Sequence, residues 1–291
     1  MAKPAELKNK IWRVIDILKW GEEYFQSKGF ESPKQEIEWL LCDLLNYKRI
    51  DLYIQFEQPI LRSDLDKLKA WIKRRTKREP LQYITGITEF YGHKIKVNPN
   101  VLIPRPETER VVDVALHCIG NISSPNILEV GTGSGCIPIA IAGEKTDATI
   151  TAIDVSADAL TVAKDNAASN QVEQIQFVEM DFLNSVPHDT YDLLVSNPPY
   201  IPESELDDTM IEVRDHEPRI ALTDQQDGLS FYHRIAAKAK NLVKPGNWIV
   251  LEVGLGSHQE KVKHIFQNLG FNQLEMIQDF NRDDRVLKIQ I

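Results

Sequence analysis

The segment at residues 127–135 reads Ile-Leu-Glu-Val-Gly-Thr-Gly-Ser-Gly and indicates the class of fold. Its apolar beginning, Ile127–Val130, predicts a short buried strand, and the glycines that follow predict a tight turn. From Ile137 onward the apolar residues continue as a helix. A strand that runs through such a turn into a helix is the first half of a βαβ unit, the building block of a parallel sheet.

The downstream segments repeat this alternation of short apolar runs and helical periods. Alternation of this kind is typical of a largely parallel sheet with helices on its faces. Strands are predicted at 127–131, 149–154, 175–180, 191–196 and 247–253, with a final pair near 272–280 and 284–291. We therefore expect residues 104–291 to form one α/β domain.

The first 80 residues show a different pattern, with apolar side chains spaced three and four positions apart. This spacing predicts three helices, of which the second begins at Ser32-Pro33, a capping serine before a first-turn proline, and the third begins after Ser63. The first predicted helix presents one apolar face: Leu7, Ile11, Ile15 and Leu18. We expect residues 1–80 to form a small helical domain and residues 81–103 to form a hairpin connector.

The third predicted helix ends in a run of basic residues: Lys69, Lys73, Arg74, Arg75, Lys77 and Arg78. One interpretation is a surface that contacts nucleic acid or the ribosome. The other is a solvated helix face with cations near the C-terminus, where the helix dipole favours them. We expect the solvated face, because such charge runs are common on protein surfaces.

Charge and cysteine content exclude several classes of protein. The chain has 291 residues and a net charge of −9; residues 1–80 hold 17 basic and 13 acidic side chains, and the remainder holds 17 and 30. An acidic main domain is a poor match for bare duplex DNA. Three cysteines without paired spacing predict neither disulfides nor a zinc site, and no apolar run is long enough to span a membrane. We therefore expect a cytoplasmic protein.

The glycine turn is typical of a site for a nucleotide-like ligand. Backbone N–H groups at the start of a helix attract anionic groups, and glycines let a ligand approach the backbone. Asp154 ends the next predicted strand, where a carboxylate can accept hydroxyl protons of a ribose. The spacing is G-x-G-x-G, with Cys136 where a dinucleotide fingerprint has its third glycine. Taken alone, the turn fits a methyltransferase cofactor site, a dinucleotide site or a purely structural turn.

Asp181 and Phe182 follow the third predicted strand and therefore border the same crevice. An aspartate in this position can receive the amino group of an adenine, and a phenylalanine can cover the ring. A loop aspartate beside a core phenylalanine fits the segment equally well.

A second motif, Asn197-Pro198-Pro199-Tyr200, ends the predicted strand 191–196. The prolines stiffen the loop and lack N–H groups, so the loop presents acceptors. An amide or aromatic NH₂ nitrogen is a weak nucleophile because its lone pair is conjugated. If Asn197 Oδ1 and the Pro198 carbonyl accept its two N–H bonds, they hold it and stabilise the positive charge that develops on alkylation. Tyr200 is expected to stack on the planar group; the alternative is a stiff turn without chemistry.

Over essentially its whole length the chain resembles the protein-glutamine N5-methyltransferases of peptide chain release factors, the PrmC/HemK family. The resemblance is carried by the glycine loop, the NPPY motif, the helical N-terminal region, the hairpin connector and two further segments. These are Val-Leu-Ile-Pro-Arg-Pro-Glu-Thr-Glu at 101–109 and Glu-Pro-Arg-Ile-Ala-Leu at 217–222.

The resemblance implies a Rossmann-like, seven-stranded class I methyltransferase sheet whose last strand is antiparallel. It implies S-adenosyl-L-methionine as methyl donor, S-adenosyl-L-homocysteine as product, and the glutamine of a release factor's Gly-Gly-Gln loop as the group methylated at N5. We expect residues 1–80 to recognise the body of the substrate, because the cleft motif is too small to provide partner specificity and a separate domain is attached.

Site residues follow from the resemblance in the same way. Substrate contacts are implied for Asn197, Pro198, Pro199 and Tyr200, and of these Asn197 and Pro198 are expected to be catalytic on the chemical grounds given above. Cofactor contacts, with Asp181 added from its position, are expected for Gly131, Thr132, Gly133, Ser134, Gly135, Asp154, Asp181, Phe182 and Asn197. Arg105, Glu107 and Glu217 are implied to lie near the site, where a structural role fits as well as a functional one.

Three rival functions remain at this point. A nucleic-acid amino-methyltransferase would suit the NPPY motif, but residues 203–217 are rich in acidic side chains where a flipped base needs a basic cradle. A cofactor-dependent docking module without catalysis and a nicotinamide dehydrogenase are the others. We expect a monomer that binds release factors, and neither nucleic acid, membrane nor metal.

Overall fold

The computed structural model describes residues 11–291, which divide into two compact units, one ending at Thr85 and one covering Gly86–Ile291. The described part of the first unit contains the helices α1 (Val14–Ser27), α2 (Pro33–Leu45), α3 (Asp51–Ile54), α4 (Arg62–Arg75) and α5 (Leu81–Thr85). Their apolar faces share one core, in which Phe25, Ile37 and Leu40 are fully buried. At Gly21 of α1 a Cβ atom would lie 2.3 Å from Ile37 Cγ1, so a glycine is required where α1 packs on α2.

Several predicted details of these helices are wrong. The first helix begins at Val14, so Ile11 precedes it; Leu7 lies outside the described residues. Pro33 is the first residue of α2 as predicted, but the Ser32 side chain makes no capping hydrogen bond. The third long helix begins at Arg62, and the short helices α3 and α5 were not predicted. A helix of one turn shows too little periodicity to be recognised in sequence.

The basic run at the end of α4 does not all face solvent. Arg75 is buried and holds Glu36 through Nε and Nη2 at 2.7 and 2.8 Å. Arg74 Nε donates to Glu79 at 2.8 Å, and the Arg78 guanidinium lies 4.0 Å from the centre of the Phe30 ring. The expectation of a wholly solvated face is therefore wrong, because these arginines hold the first unit together.

The second unit opens with an antiparallel hairpin of β1 (Ile87–Phe90) and β2 (His93–Lys96), followed by one sheet. The strands of the sheet are β3 (Asn126–Val130), β4 (Thr149–Asp154), β5 (Ile175–Glu179), β6 (Tyr191–Ser196), β7 (Val243–Glu252), β8 (Leu274–Gln278) and β9 (Asp284–Gln290). Their order is β5-β4-β3-β6-β7-β9-β8, and β9 pairs antiparallel with both neighbours. The Rossmann-like seven-stranded class with an antiparallel last strand is confirmed.

Helices surround this sheet. They are α6 (Glu109–Ile119), α7 (Cys136–Glu144), α8 (Ala157–Ser169), α9 (Ile211–His216), α10 (Arg219–Leu222), α11 (Ser230–Leu242) and α12 (Ser257–Asn268). All residues of the central strand β6 are buried, which requires cover on both faces. The near-continuous apolar run of β6 in the sequence has this physical origin.

The order in which strands are added to the sheet changes side at β3: β4 and β5 lie on one side of β3, and β6 and β7 lie on the other. Strand β3 pairs with β4 on one side and with β6 on the other. Val130 and Ser196 are the last paired residues of β3 and β6, and Ser196 Oγ donates to the Val130 carbonyl at 2.6 Å. Beyond this pair the two connections leave in opposite directions and open a crevice at the carboxyl edge of the sheet.

Candidate active site

A cleft occupies this crevice and collects most of the residues predicted from sequence. Those that line it are Gly131, Thr132, Gly133, Ser134, Asp154, Asp181, Phe182, Asn197, Pro198 and Pro199. Gly135 and Tyr200 were also predicted, but they are not among the lining residues. Four strand ends, from β3 to β6, therefore contribute to one site.

The loop after β3 depends on left-handed backbone angles. Gly131 has φ +76° and Gly133 has φ +53°, angles that side chains with a Cβ atom rarely adopt. No heavy atom lies within 4 Å of the position that a Cβ would take at either residue. The glycines are thus required by the backbone conformation, and the space beside them is open to a ligand.

Gly135 has a different role from the other glycines of the loop. It is the residue before α7, with φ +78°, and a Cβ there would lie 3.1 Å from Ala163 Cβ of α8. The side-chain amide of the buried Asn166, also on α8, donates to the Ser134 carbonyl at 2.9 Å. Gly135 therefore lets α7 and the loop pack closely against α8.

Asp154, at the end of β4, ties the loop to the sheet. Its Oδ2 accepts the Gly133 N–H at 2.8 Å, and its Oδ1 accepts the Ser156 N–H at 2.9 Å. Burial raises the pKa of this carboxyl above its ordinary value, while these hydrogen bonds act in the opposite direction. Each oxygen keeps a further lone pair, so the carboxylate can still accept from a ligand hydroxyl.

Asp181 and Phe182 border the cleft after β5. Asp181 organises its own turn, because Oδ1 accepts the Leu183 N–H at 3.0 Å and Oδ2 accepts Asn184 Nδ2 at 2.6 Å. Phe182 is only 3% exposed and belongs to the core beneath the cleft. The two interpretations of this phenylalanine are compatible, since the ring is buried in the core and also lines the cleft.

The NPPY loop presents acceptors at the other side of the cleft. Asn197 Nδ2 donates to Thr108 Oγ1 at 3.2 Å. Within residues 11–291, no donor hydrogen-bonds to Asn197 Oδ1 or to the Pro198 carbonyl. Both oxygens therefore retain their full capacity to accept.

Tyr200 points away from the cleft that its three neighbours line. Its ring centre lies 5.9 Å from that of His258, and its hydroxyl lies 3.4 Å from Glu252 Oε1. A Cβ at Gly228 would lie 2.3 Å from the Tyr200 carbonyl oxygen, so the loop that carries Gly228 supports the NPPY backbone directly.

Three further polar residues were not identified from sequence: Thr108, which lines the cleft, and the buried glutamates Glu129 and Glu252, which are not among the lining residues. Thr108 and Glu252 are buried, and Thr108 Oγ1 donates to Glu252 Oε2 at 2.6 Å. Glu129 is fully buried in β3, and neither of its carboxylate oxygens has a hydrogen-bond partner of good geometry in the described chain. Burial raises its pKa to about 8, although the nearby Thr132 hydroxyl acts in the opposite direction. Burial likewise raises the pKa of Glu252 to about 7. Both glutamates could have been identified from sequence, because an acidic residue within an apolar run indicates a buried carboxylate that needs a partner.

The two segments beside the cleft are linked by an ion pair. Arg105 lines the cleft, and its Nη2 lies 2.5 Å from Oε1 of the buried Glu217. Glu217 Oε2 also accepts the Ile103 N–H at 3.3 Å. Glu107 instead accepts from Asn281 Nδ2 at 3.4 Å and is not among the lining residues. Arg105 and Glu217 thus fix the cleft wall.

Two other kinds of feature are missing from the described part of the chain. Among residues 11–291, no group of histidine, cysteine, aspartate and glutamate side chains could hold a metal ion. None of the helices in that range has the length and apolar character needed to cross a membrane.

Known families match both units of the chain. Residues 16–86 match the PrmC N-terminal domain, and residues 109–214 match the methyltransferase small domain. The release factor glutamine methyltransferase of Geobacter sulfurreducens is 38% identical over 280 residues, covering 96% of this chain and 97% of that protein. Its counterpart in Chlorobaculum tepidum is 40% identical over 290 residues, with 96% and 97% covered.

Among solved structures, a methyltransferase from Pyrococcus furiosus aligns with a TM-score of 0.51 at 16% identity, over 76% of this chain and 96% of that one. This likeness extends to the fold alone. The curated relatives, by contrast, align with both units over nearly their whole length. The protein is therefore a methyltransferase, and its chain belongs to the release factor glutamine methyltransferase family.

Proposed function

We propose that this protein transfers the methyl group of S-adenosyl-L-methionine to the side-chain nitrogen N5 of a glutamine. The glutamine is that of the Gly-Gly-Gln motif of peptide chain release factors, and the products are N5-methylglutamine and S-adenosyl-L-homocysteine. One observation carries the proposal: Asn197 Nδ2 donates to Thr108 Oγ1, so Asn197 Oδ1 stays available and forms, with the Pro198 carbonyl, a pair of acceptors for a planar NH₂ group.

The cleft and the buried strand β3 beside it offer groups that suit each part of the donor. N–H groups at the start of α7 suit its carboxylate, and Asp154 keeps lone pairs for the ribose hydroxyls. Glu129 is a buried carboxylate without a hydrogen-bond partner in the described chain, and a cationic ammonium is the group that would compensate its charge. Phe182 and Met180 supply apolar walls for an adenine.

When bound, the sulfonium supplies the methyl group, which the amide nitrogen takes as the carbon–sulfur bond pair leaves with sulfur. Asn197 Oδ1 and the Pro198 carbonyl hold the two N–H bonds and orient the nitrogen lone pair. They also stabilise the positive charge that grows on nitrogen, and the proton that nitrogen loses after methyl transfer passes to solvent water. Orientation and preorganised acceptors then perform the work that a strong base would otherwise do.

A protein substrate fits the charge around the cleft better than a nucleic acid does. The segment after the NPPY motif exposes Glu205, Asp207 and Asp208. Its two arginines are already paired, Arg214 with Asp215 and Arg219 with Glu203. A phosphate backbone would find few free cations there. The names of the relatives indicate release factors as the protein substrate.

We further propose that the helical unit recognises the body of the release factor. Between α1 and α4 it carries a groove with an apolar floor, including Trp12, Trp20 and Leu68, and with Lys69 and Lys73 at its edge. A loop of three residues is too small to identify one protein among many, so a second contact surface is needed for selectivity. The enzyme would act as a monomer in the cytoplasm, where release factors are used.

The deciding experiment is mass spectrometry of a release factor after incubation with enzyme and S-adenosyl-L-methionine. The expected result is a mass increase of one methylene group on the Gly-Gly-Gln glutamine, localised by fragmentation. A substrate with glutamate in place of that glutamine should gain nothing. Methylation elsewhere in the factor, or only on added oligonucleotides, would refute the substrate assignment.

A further inference from the structure

A buried chain of polar groups connects the NPPY motif to the core. Thr108 Oγ1 lies 2.6 Å from Glu252 Oε2 and 3.2 Å from Asn197 Nδ2. Thr108 is 2% exposed and Glu252 is 1% exposed, so water does not compete for these bonds. The three residues come from the turn before α6, the end of β6 and the end of β7.

The direction of these hydrogen bonds follows from counting protons. An ionised carboxylate can only accept hydrogen bonds, so the single O–H of Thr108 must donate to Glu252. The Thr108 oxygen can then only accept, and the group that faces it on Asn197 must be the NH₂. The opposite orientation of the Asn197 amide would place two acceptors against each other, at a cost comparable to a lost buried hydrogen bond.

We propose that Thr108 and Glu252 are positioning residues that fix the orientation of the Asn197 amide, so that Oδ1 rather than Nδ2 faces the reacting NH₂ group. This inference rests on the proposed function of Asn197. A flipped amide would present N–H donors to the N–H bonds of the substrate, which abolishes the contact. The specificity for an NH₂ group is therefore set by two residues that need not touch it.

The arrangement also predicts a dependence on pH. Burial raises the pKa of Glu252 to about 7, while the hydrogen bond from Thr108 and the charge of Arg285 act against that rise and Glu107 adds to it. The other titratable groups around it are the Tyr200 hydroxyl, the Tyr232 hydroxyl, which donates to the Glu252 backbone carbonyl, and the Cys136 thiol. When Glu252 is protonated, it can donate to Thr108, and the Thr108 hydroxyl can then donate to Asn197 instead of accepting from it. The fraction of enzyme with a correctly oriented Asn197 amide therefore falls as the pH drops below neutrality.

The test compares Thr108→Val, Thr108→Ser and Glu252→Gln in the full-length enzyme with an intact release factor as substrate. Thr108→Val keeps the shape but removes the hydroxyl, and we expect kcat to fall by at least about tenfold while the affinity for S-adenosyl-L-methionine is unchanged. Thr108→Ser should restore most of the rate. Glu252→Gln can donate as well as accept, so it should lower kcat and remove the acidic limb of the pH profile. Wild-type kinetics in both Thr108→Val and Glu252→Gln would overturn the inference.

A second readout does not require activity. The side-chain NH₂ signal of Asn197 in a ¹⁵N spectrum is assigned by its loss in Asn197→Asp. We expect slow hydrogen exchange of this group in the wild type and in Thr108→Ser, and fast exchange in Thr108→Val. Equal exchange rates in all three proteins would show that Thr108 does not hold the amide, whatever the enzyme methylates. Slow exchange in a wild type that transfers no methyl to glutamine would refute the proposed function and retain the positioning.

Discussion

The Gly133 backbone N–H donates to Asp154 Oδ2 at 2.8 Å, which joins the loop after β3 to the end of β4. This bond sets the shape of the loop independently of a ligand. We therefore propose that Asp154 acts on the cofactor in two ways, by its own remaining lone pairs and by preorganising the glycine loop.

Replacing Gly133 with alanine should weaken cofactor binding more than it weakens the fold. The residue has φ +53°, so a Cβ costs about 1 kcal/mol in stability. The added methyl group would also stand in the open space beside the loop, and we expect the affinity for S-adenosyl-L-methionine to fall at least about tenfold. Calorimetric titration and urea unfolding measure the two effects.

The matched control is Gly29→Ala in the helical unit. Gly29 has φ +74°, and no heavy atom lies within 4 Å of the position that its Cβ would take, so the conformational cost is similar. This control should lose stability and keep its cofactor affinity. Equal affinities for the two alanine variants would contradict a ligand beside Gly133.

Replacing Asn197 with alanine should separate catalysis from cofactor binding. Loss of one preorganised acceptor is expected to lower kcat by about a hundredfold or more. Cofactor affinity should change little, because the glycine loop and Asp154 remain. The measurement is the initial rate of methyl incorporation into a release factor, with the exposed Asn268→Ala on α12 as control. A normal rate in Asn197→Ala would rule out the catalytic role.

Glu129 should make cofactor affinity depend on pH. Burial raises its pKa to about 8, so much of the carboxyl is protonated and neutral at pH 6 and its charge develops as the pH approaches 8. If it compensates a cationic ammonium, wild-type affinity should rise over this range, whereas Glu129→Gln should bind weakly with a flat profile. The exposed Glu173→Gln serves as control. Identical profiles for wild type and Glu129→Gln would exclude this contact.

The same residue should influence the stability of the unliganded protein, and in the opposite direction. The folded pKa is raised above the ordinary value of 4.5, so the folded state binds this proton more tightly than the unfolded chain does. Its contribution is complete below pH 4.5 and is lost as the pH rises through about 8. Glu129→Gln should therefore lose less free energy of unfolding than wild type between pH 5 and 8, as measured by urea unfolding.

The groove of the helical unit should govern selectivity for the intact substrate. Lys69 and Lys73 are exposed at its edge, and the double change to glutamate reverses that charge. We expect kcat/KM to drop about tenfold for the intact release factor and to stay constant for a short Gly-Gly-Gln peptide. Lys164→Glu with Lys261→Glu, both exposed on the other unit, is the charge-matched control. A parallel drop for peptide and protein would contradict recognition by the groove.

The parallel sheet and the order of its functional turns could be predicted from sequence. Runs of strand length that are mainly apolar, such as Tyr191–Ser196, form strands that are buried on both faces, so their composition predicts their burial. Glycine and proline mark the turns because they restrict or extend the backbone angles locally. The glycine loop, Asp154 and Asn197 could therefore be assigned to one edge of the sheet from local pattern alone.

Local pattern was insufficient where contacts join distant parts of the chain. Arg75, which belongs to the basic run, forms a buried ion pair with Glu36 that links α4 to α2. Tyr200 faces Glu252 instead of the cleft. Neither contact leaves a signal in the spacing of its own segment.

Which residues gather at the carboxyl edge of the sheet could be predicted from sequence, because apolar runs, glycine turns and prolines are local features of the chain. The orientation of the Asn197 amide, by contrast, is established only in the folded protein. That orientation depends on Thr108 and Glu252, which are 144 residues apart and meet through packing of α6 and β7. Hydrogen-bond direction is a property of the assembled network, so it emerges only when the chain has folded.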